Sequence, residues 1–257
     1  MDSQQMSNLN MDPTRSITSR KQLQVRLTAP IKKMKADVAT ILKGNPSPGD
    51  LRIWFDTYTS RTTPQVMEAI RKEVSAAYDR GAKSGATQVS SSSGKMRGYS
   101  PIMDRNKDTL NLLVRQAQDD YLTVLDETRN QVLRTYVNAV FQEKSLKDIV
   151  NLVKGRFDKI GITRSRAVAN TGIVRANSEG MLDILTKMEI EQVTILAEWV
   201  TARKPCPLCQ AKAGMILPIE KMRGLIPLHP NCLCTPKPVV KRATRTRKRR
   251  VAQQSFA

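Results

Sequence analysis

Histidine is almost absent from this 257-residue chain, with His229 its only one, and aromatic residues make up just 4% of it. A single imidazole leaves no spare His to serve as a general base once His229 is given another role, and so few aromatics leave little surface on which unpaired bases could stack. The chain also lacks any run of the roughly 18 apolar residues that a membrane span requires. The polar, charge-interrupted N-terminal region has no apolar stretch of the signal-peptide kind. Membrane partners are therefore not expected, and the protein is placed in a cytosol or in something assembled there. No P-loop, Gly-rich dinucleotide turn or G-x-S-x-G elbow is present, so no small-molecule substrate is expected either.

Acidic residues are scarce as well, with 23 Asp and Glu against 43 Lys and Arg and a formal net charge of +20. A molecule so charged repels itself unless something acidic neutralises it, and nucleic acid is the commonest such partner. The charge is concentrated at one end. Between Lys237 and Arg250, KPVVKRATRTRKRR holds eight Lys or Arg and no acid. Lys241, Arg242, Arg245, Arg247, Lys248, Arg249 and Arg250 are the candidate contacts to double-stranded DNA, through the phosphate backbone and without reading sequence.

Hydrophobic residues make up 40% of the chain, and their spacing is mostly helical. Polar residues 1–16 read as a disordered N-terminus. Leu27, Ile31, Met34, Val38 and Ile41 step by four and three along a helix from about Ile17 to Lys43, with Pro30 expected to kink or restart it. Gly44 to Asp50 reads as a turn. Thr63-Pro64 then reads as a cap and first-turn proline opening a helix through Ile70, Val74, Tyr78 and Ala82 that ends near Gly85, which completes an N-terminal helical region over 17–87. Residues 88–100, with four consecutive serines, read as a linker. A helical body over 101–190 follows, its stripe passing through Leu113, Ala117, Tyr121, Val124, Leu125, Leu133 and Val137. A cap at Ser145 and a last helix from Thr163 to Lys187 complete that body. From Glu191 the period changes to two, with Val193, Ile195, Ala197 and Trp199 alternating with Thr194, Leu196 and Glu198 as in a strand.

That strand leads into residues 191–238, which contain every Cys and His of the chain. The pattern is C-x2-C at Cys206 and Cys209, then nineteen residues, then H-x2-C-x-C at His229, Cys232 and Cys234. Clustered cysteines in a reducing compartment point to metal before disulfide. A C-x2-C turn converges two thiolates on one ion, and a second knuckle completes a tetrahedron. The preferred set is Cys206, Cys209, His229 and one of Cys232 or Cys234, leaning to Cys232, because two thiolates separated by one residue strain the short chain between them. A closed four-ligand site means a structural zinc. The alternative is that these are simply buried small side chains. Deamination lacks its upstream His or Cys, and a thioredoxin-like reading of C-x-x-C lacks the βαβ context. The carboxylate pairs Asp119-Asp120 and Glu189/Glu191 read as solvated surface charge.

Ala197 to Pro238, with a Trp before the C-x2-C, a Gly after it and a closing P-x-H-P-x-C-x-C string, resembles the C-terminal signature of the phage Mu F-like head-morphogenesis proteins, also called minor head or minor capsid proteins. The segment Arg166 to Asp183 resembles the part of that family carrying an Ala-Arg-Thr-Glu string, an Arg-Ala pair and a Gly. DPTR at Asp12 to Arg15 is similar to the start of one branch. Two departures stand out: Ala169-Asn-Thr-Gly172 replaces Ala-Arg-Thr-Glu, and Leu233 stands between the last cysteines where Arg is usual. The resemblance implies a non-enzymatic virion protein that assembles in the bacterial host cytoplasm, contacts portal or major capsid protein, and handles packaged DNA. The residues thus predict a mainly α fold: a helical body, a small zinc-stabilised α/β module and a disordered basic tail over 239–257. A zinc-dependent nucleic-acid-binding regulator is the alternative function, and a small metalloenzyme a third.

Overall fold

The computed structural model describes residues 12–92, 105–188 and 193–242. The expectations for residues 1–11, for most of the serine-rich linker, for Glu189 and Glu191, and for the tail beyond Arg242 lie outside these residues. The chain is mainly α-helical, with a small three-stranded antiparallel sheet towards its C-terminal end. No helix among the described residues is long and apolar enough to cross a membrane.

Helix α1 (Ile17–Ile41) buries Leu23, Leu27, Ile31, Met34 and Val38 along one stripe. It neither breaks nor restarts at Pro30. Leu27 and Ile31, both fully buried, hold the turn on either side of the missing backbone donor, and the Tyr58 hydroxyl donates to the Pro30 carbonyl at 3.0 Å. A 3₁₀ turn (Leu42–Gly44) and a left-handed Asn45 end the rod.

Helix α2 (Pro48–Ser92) then runs without interruption for 45 residues. Its start is a capping box: the Asp50 N–H donates to Ser47 Oγ at 3.1 Å, and Ser47 N–H donates back to the Asp50 carboxylate at 3.2 Å. Two sequence expectations are corrected here. Pro64 does not open a helix but sits inside one, and Gly85 does not end it. The carbonyl that Pro64 leaves without a donor belongs to Ser60, which is exposed and can be served by water. Gly85 is a packing residue, since a Cβ there would meet Ile184 and Met181 side chains at 2.9 Å. The helix consequently takes in the first residues of the stretch read as a linker.

Helix α3 (Lys107–Phe141) is capped by Asn106, whose side chain accepts the Thr109 N–H. Its buried stripe passes through Leu113, Ala117, Tyr121, Val124 and Leu125 as expected, then continues through Thr128, Val132, Tyr136 and Ala139. Val137, expected on that stripe, is 42% exposed. A 3.6-residue period had carried the buried face one residue away by then. Helix α4 (Leu146–Arg156), capped by Ser145, passes through a π turn (Phe157–Ile162) directly into α5 (Thr163–Met188).

Helix α5 is the spine of the molecule. From Ala176 to Leu185 every residue is buried. Two hydrophobic clusters share it: one takes α1 to α4 and its first half, the other the end of α2, its second half and the sheet module. Residues from before and after the serine stretch enter the first cluster together.

Strand β1 (Val193–Val200) is central, flanked by β2 (Ile216–Pro218) and β3 (Thr235–Arg242). Ile195, Ala197 and Trp199 point into the second cluster, as the alternation predicted. Two short helices, α6 (Pro207–Gln210) and α7 (Ile219–Met222), complete the module. The tail expected over 239–257 is corrected at its start, where Val239 to Arg242 are strand. Val239 to Arg242 pair with Leu196 to Val193, because β1 offers a full-length edge and Val239-Val240 are good strand formers. The later cations obscured this in the composition.

Helices α2 and α5 meet backbone to backbone. A Cβ on Gly81 would lie 1.9 Å from the Asn177 carbonyl oxygen, and one on Gly180 would lie 2.1 Å from that of Tyr78. Gly180→Ala is expected to cost at least about 3 kcal/mol in urea unfolding, because neither backbone can yield without separating the helices. Gly155→Ala, on an exposed helical site with nothing within 4 Å of its Cβ, should instead gain about 0.5–1 kcal/mol by the same measurement.

Candidate metal centre

The five ligand candidates converge, although they come from two chain segments. Cys206 is the N-cap of α6, with Pro207 in its first turn and Cys209 on the helix. The Gln210 N–H bonds back to the Cys206 carbonyl at 2.9 Å, closing the C-x2-C knuckle. The second segment turns at His229 to Cys232: the Cys232 N–H donates to the His229 carbonyl at 3.1 Å, and Asn231 takes a left-handed φ of 62°. Asn tolerates that conformation better than most residues.

Cys206 Sγ and Cys209 Sγ each lie 3.1 Å from His229 Nε2, and Cys209 Sγ lies 3.7 Å from Cys232 Sγ. The ligand atoms form two trios, Cys206–Cys209–His229 and Cys209–Cys232–Cys234, each within 4.8 Å and sharing Cys209. All four cysteines are free thiols, and all but Cys206 are buried. Two sulfurs bound at about 2.3 Å to one tetrahedral ion stand about 3.8 Å apart. The Cys209–Cys232 separation already matches that spacing.

The remaining polar groups also fit a metal. His229 Nδ1 lies 2.8 Å from the Pro230 carbonyl oxygen, a contact made as an N–H donor, which leaves the Nε2 lone pair facing the sulfurs. The buried Trp199 indole nitrogen has no well-formed hydrogen bond, yet it acts on the Cys234 sulfur.

Proton affinities across the cluster are spread. The hydrogen bond from the Cys234 thiol, aided by the backbone N–H groups of Cys234 and Leu228 and opposed by burial, brings Cys232 down to about 5. Its donor role and its burial push Cys234 upward. Burial raises Cys209 to about 12. Cys206 is lowered, chiefly by the Cys209 backbone N–H, and His229 is raised, chiefly by its bond to Pro230. Such a set binds a soft or borderline cation by releasing the protons that remain.

Two contacts fasten this module to α5, and sequence reading found neither. At one, Gln24 donates to Asn170 at 2.6 Å, Asn170 donates to Asn231 at 2.7 Å, and the Asn231 N–H donates to Thr171 Oγ at 3.2 Å. At the other, Arg223 pairs with Glu179 at 3.2 Å and Asp183 at 2.7 Å, while Glu179 also accepts the Gly224 N–H at 2.8 Å. Tyr78 donates its hydroxyl to Asp183, and burial with that carboxylate pushes its pKa upward. The usable signal for the first contact was the string Ala169-Asn-Thr-Gly172, where one amide, Asn170, and a glycine stand in place of the Arg and Glu expected from the resemblance.

Of the cationic candidates, Lys241 is exposed on β3 and Arg242 is the last residue of that strand. Arg245, Arg247, Lys248, Arg249 and Arg250 lie outside the described residues. Asp120 makes a long ion pair with Arg175 at 3.9 Å. No family model, curated protein or solved structure matches this chain.

Because Cys209 belongs to both trios, titration with Co(II) is expected to show one equivalent per chain with thiolate charge-transfer absorption, and Cys209→Ala to abolish it.

Proposed function

We propose that the metal is a structural zinc held by Cys206, Cys209, His229 and Cys232, and that the chain is a phage minor head protein. The observation that carries the reading is the convergence of the whole C-x2-C and H-x2-C-x-C signature on one small cluster. Three sulfurs and one imidazole suit zinc, and four protein ligands close its coordination. The 3.7 Å approach of Cys232 to Cys209 favours Cys232 as fourth ligand. Cys234 then serves beside it as a thiol. A closed site leaves no position for substrate, so the zinc fastens the module and performs no chemistry.

In this reading the helices form the surface that meets portal or major capsid protein, and the protein assembles in the bacterial host cytoplasm before taking its place in the phage head. Lys241, Arg242, Arg245, Arg247, Lys248, Arg249 and Arg250 neutralise phosphates of packaged double-stranded DNA without reading sequence. The resemblance of residues 164–238 to the Mu F-like proteins supports the head assignment, and the +20 charge supports an acidic partner.

The test has two parts. Purified protein should carry one zinc per chain by inductively coupled plasma mass spectrometry, lost in Cys206→Ala/His229→Ala and retained in Cys234→Ala. Removing residues 243–257 should abolish most duplex binding and flatten its dependence on salt, by roughly 0.9 in log K per log salt for each phosphate no longer neutralised. Association with portal or capsid should survive that truncation. Sequence-selective duplex affinity that survives it would overturn the head reading in favour of a regulator.

A further inference from the structure

A second cluster of charge lies away from the metal centre, in a cleft of about 520 Å³ between the N-terminal segment, α2 and α5. Arg15, Arg80 and Lys83 line it together with Thr14, Ser84 and Asn177, and none of its described lining residues is acidic. The Nη2 of Arg80 is shielded from solvent and has no hydrogen-bond partner. None of the three cations appears in any ion pair among the described residues.

Nearby acids are already engaged. Asp79 takes a bidentate contact from Arg105 at 2.9 and 2.6 Å, and Asp183 is held by Arg223 and Tyr78. Asp12 is committed to Arg20, to the Thr14 N–H at 3.2 Å and to the Thr14 hydroxyl at 2.5 Å. That last set of bonds explains the DPTR string. It fixes buried Thr14 and Ser16 on either side of Arg15, which takes a left-handed φ of 51° and borders the cleft. Arg15 on the N-terminal loop and Arg80 and Lys83 on α2 thus border one cleft with no acid of their own, and an orphaned guanidinium nitrogen of Arg80 has given up water without a replacement.

We propose that this cleft binds a phosphate group. Guanidinium forks and an ammonium beside the Ser84 hydroxyl and the Asn177 amide suit a tetrahedral dianion, whose oxygens can be shared among several donors, better than a planar carboxylate. The cleft has room beyond the phosphate itself, so the group belongs to a larger molecule: either the phosphodiester backbone of a duplex or a small phosphorylated compound. The proposal does not rest on the head-protein reading and uses none of the tail cations.

Isothermal titration of the full chain with inorganic phosphate, against chloride at matched ionic strength, tests it. Saturable binding at one site per chain is expected. Arg80→Gln and Lys83→Gln should each weaken it by about tenfold, the loss expected when a charge-assisted hydrogen bond is removed, whereas Lys147→Gln on α4 should leave it unchanged. Should Arg80→Gln fail to fold by circular dichroism, exposed Lys83 carries the test. Heats no greater than those of chloride, or wild-type affinity in the folded cleft variants, would overturn the proposal. Repeating the titration with a short duplex present separates the two sources. Loss of the phosphate heats identifies the phosphodiester backbone as the ligand, and their persistence identifies a small phosphorylated compound; both outcomes support the site.

Discussion

Helices α2 and α5 touch through their backbones because neither Gly81 nor Gly180 carries a Cβ, and nearly everything else in the molecule is arranged around that contact. Any side chain at either position would force the rods apart by more than a soft core could absorb. Held this close, α5 is covered from Ala176 to Leu185 and contributes to both hydrophobic clusters. The sheet module has no comparable interior of its own. Its largest buried residue, Trp199, packs against the cluster that α5 supplies.

The module's attachment to α5 explains why polar residues occur on so buried a helix. Glu179 and Asp183 are nearly covered, at 8% and 6% exposure, and both face Arg223. Burying two carboxylates is tolerable only because a guanidinium, a backbone N–H and a tyrosine hydroxyl are all supplied to them. The Gln24–Asn170–Asn231 relay reaches the other side of the module, at the turn between His229 and Cys232. The ligand-bearing loop is therefore positioned from outside by hydrogen bonds to a helix. A metal ion held by the cluster would join that loop to the α6 knuckle. Positioning of the two halves and their cross-linking are separate physical tasks, carried by separate residues.

Helix positions, the strand at Val193 to Val200 and the cluster of candidate ligands were legible in the sequence because each rests on local periodicity or on inventory. Ile195, Ala197 and Trp199 announce a half-buried strand by alternation alone, and five ligands in 29 residues need no fold to be noticed. What was misread depended on distant partners. Pro30 and Pro64 are strong breakers in isolation, yet one lies in a turn anchored by buried Leu27 and Ile31 with its carbonyl engaged by Tyr58, and the other disturbs only an exposed turn. Gly85 has the look of a stop and is a contact surface for Ile184 and Met181. Val239 to Arg242 form strand because β1 happens to extend far enough to pair them. The anchors at Glu179, Asp183 and Asn170 have no local signature, since their partners lie far away in sequence.

Charge distribution follows the same division between local and distant causes. Composition assigns eight cations to the stretch from Lys237 to Arg250 and invites the view that this end alone seeks an acidic partner. The rest of the chain is nevertheless strongly positive, and its acids are not spread evenly among its bases. Asp56, Asp79, Asp158 and Asp183 each hold a partner from a distant element, so they neutralise the seams between helices. Arg80 follows directly after Asp79 in sequence, yet Asp79 is committed to Arg105. The contact that joins Asp79 to Arg105 therefore also leaves Arg80 without an ion pair among the described residues, beside a seam that is itself ion-paired.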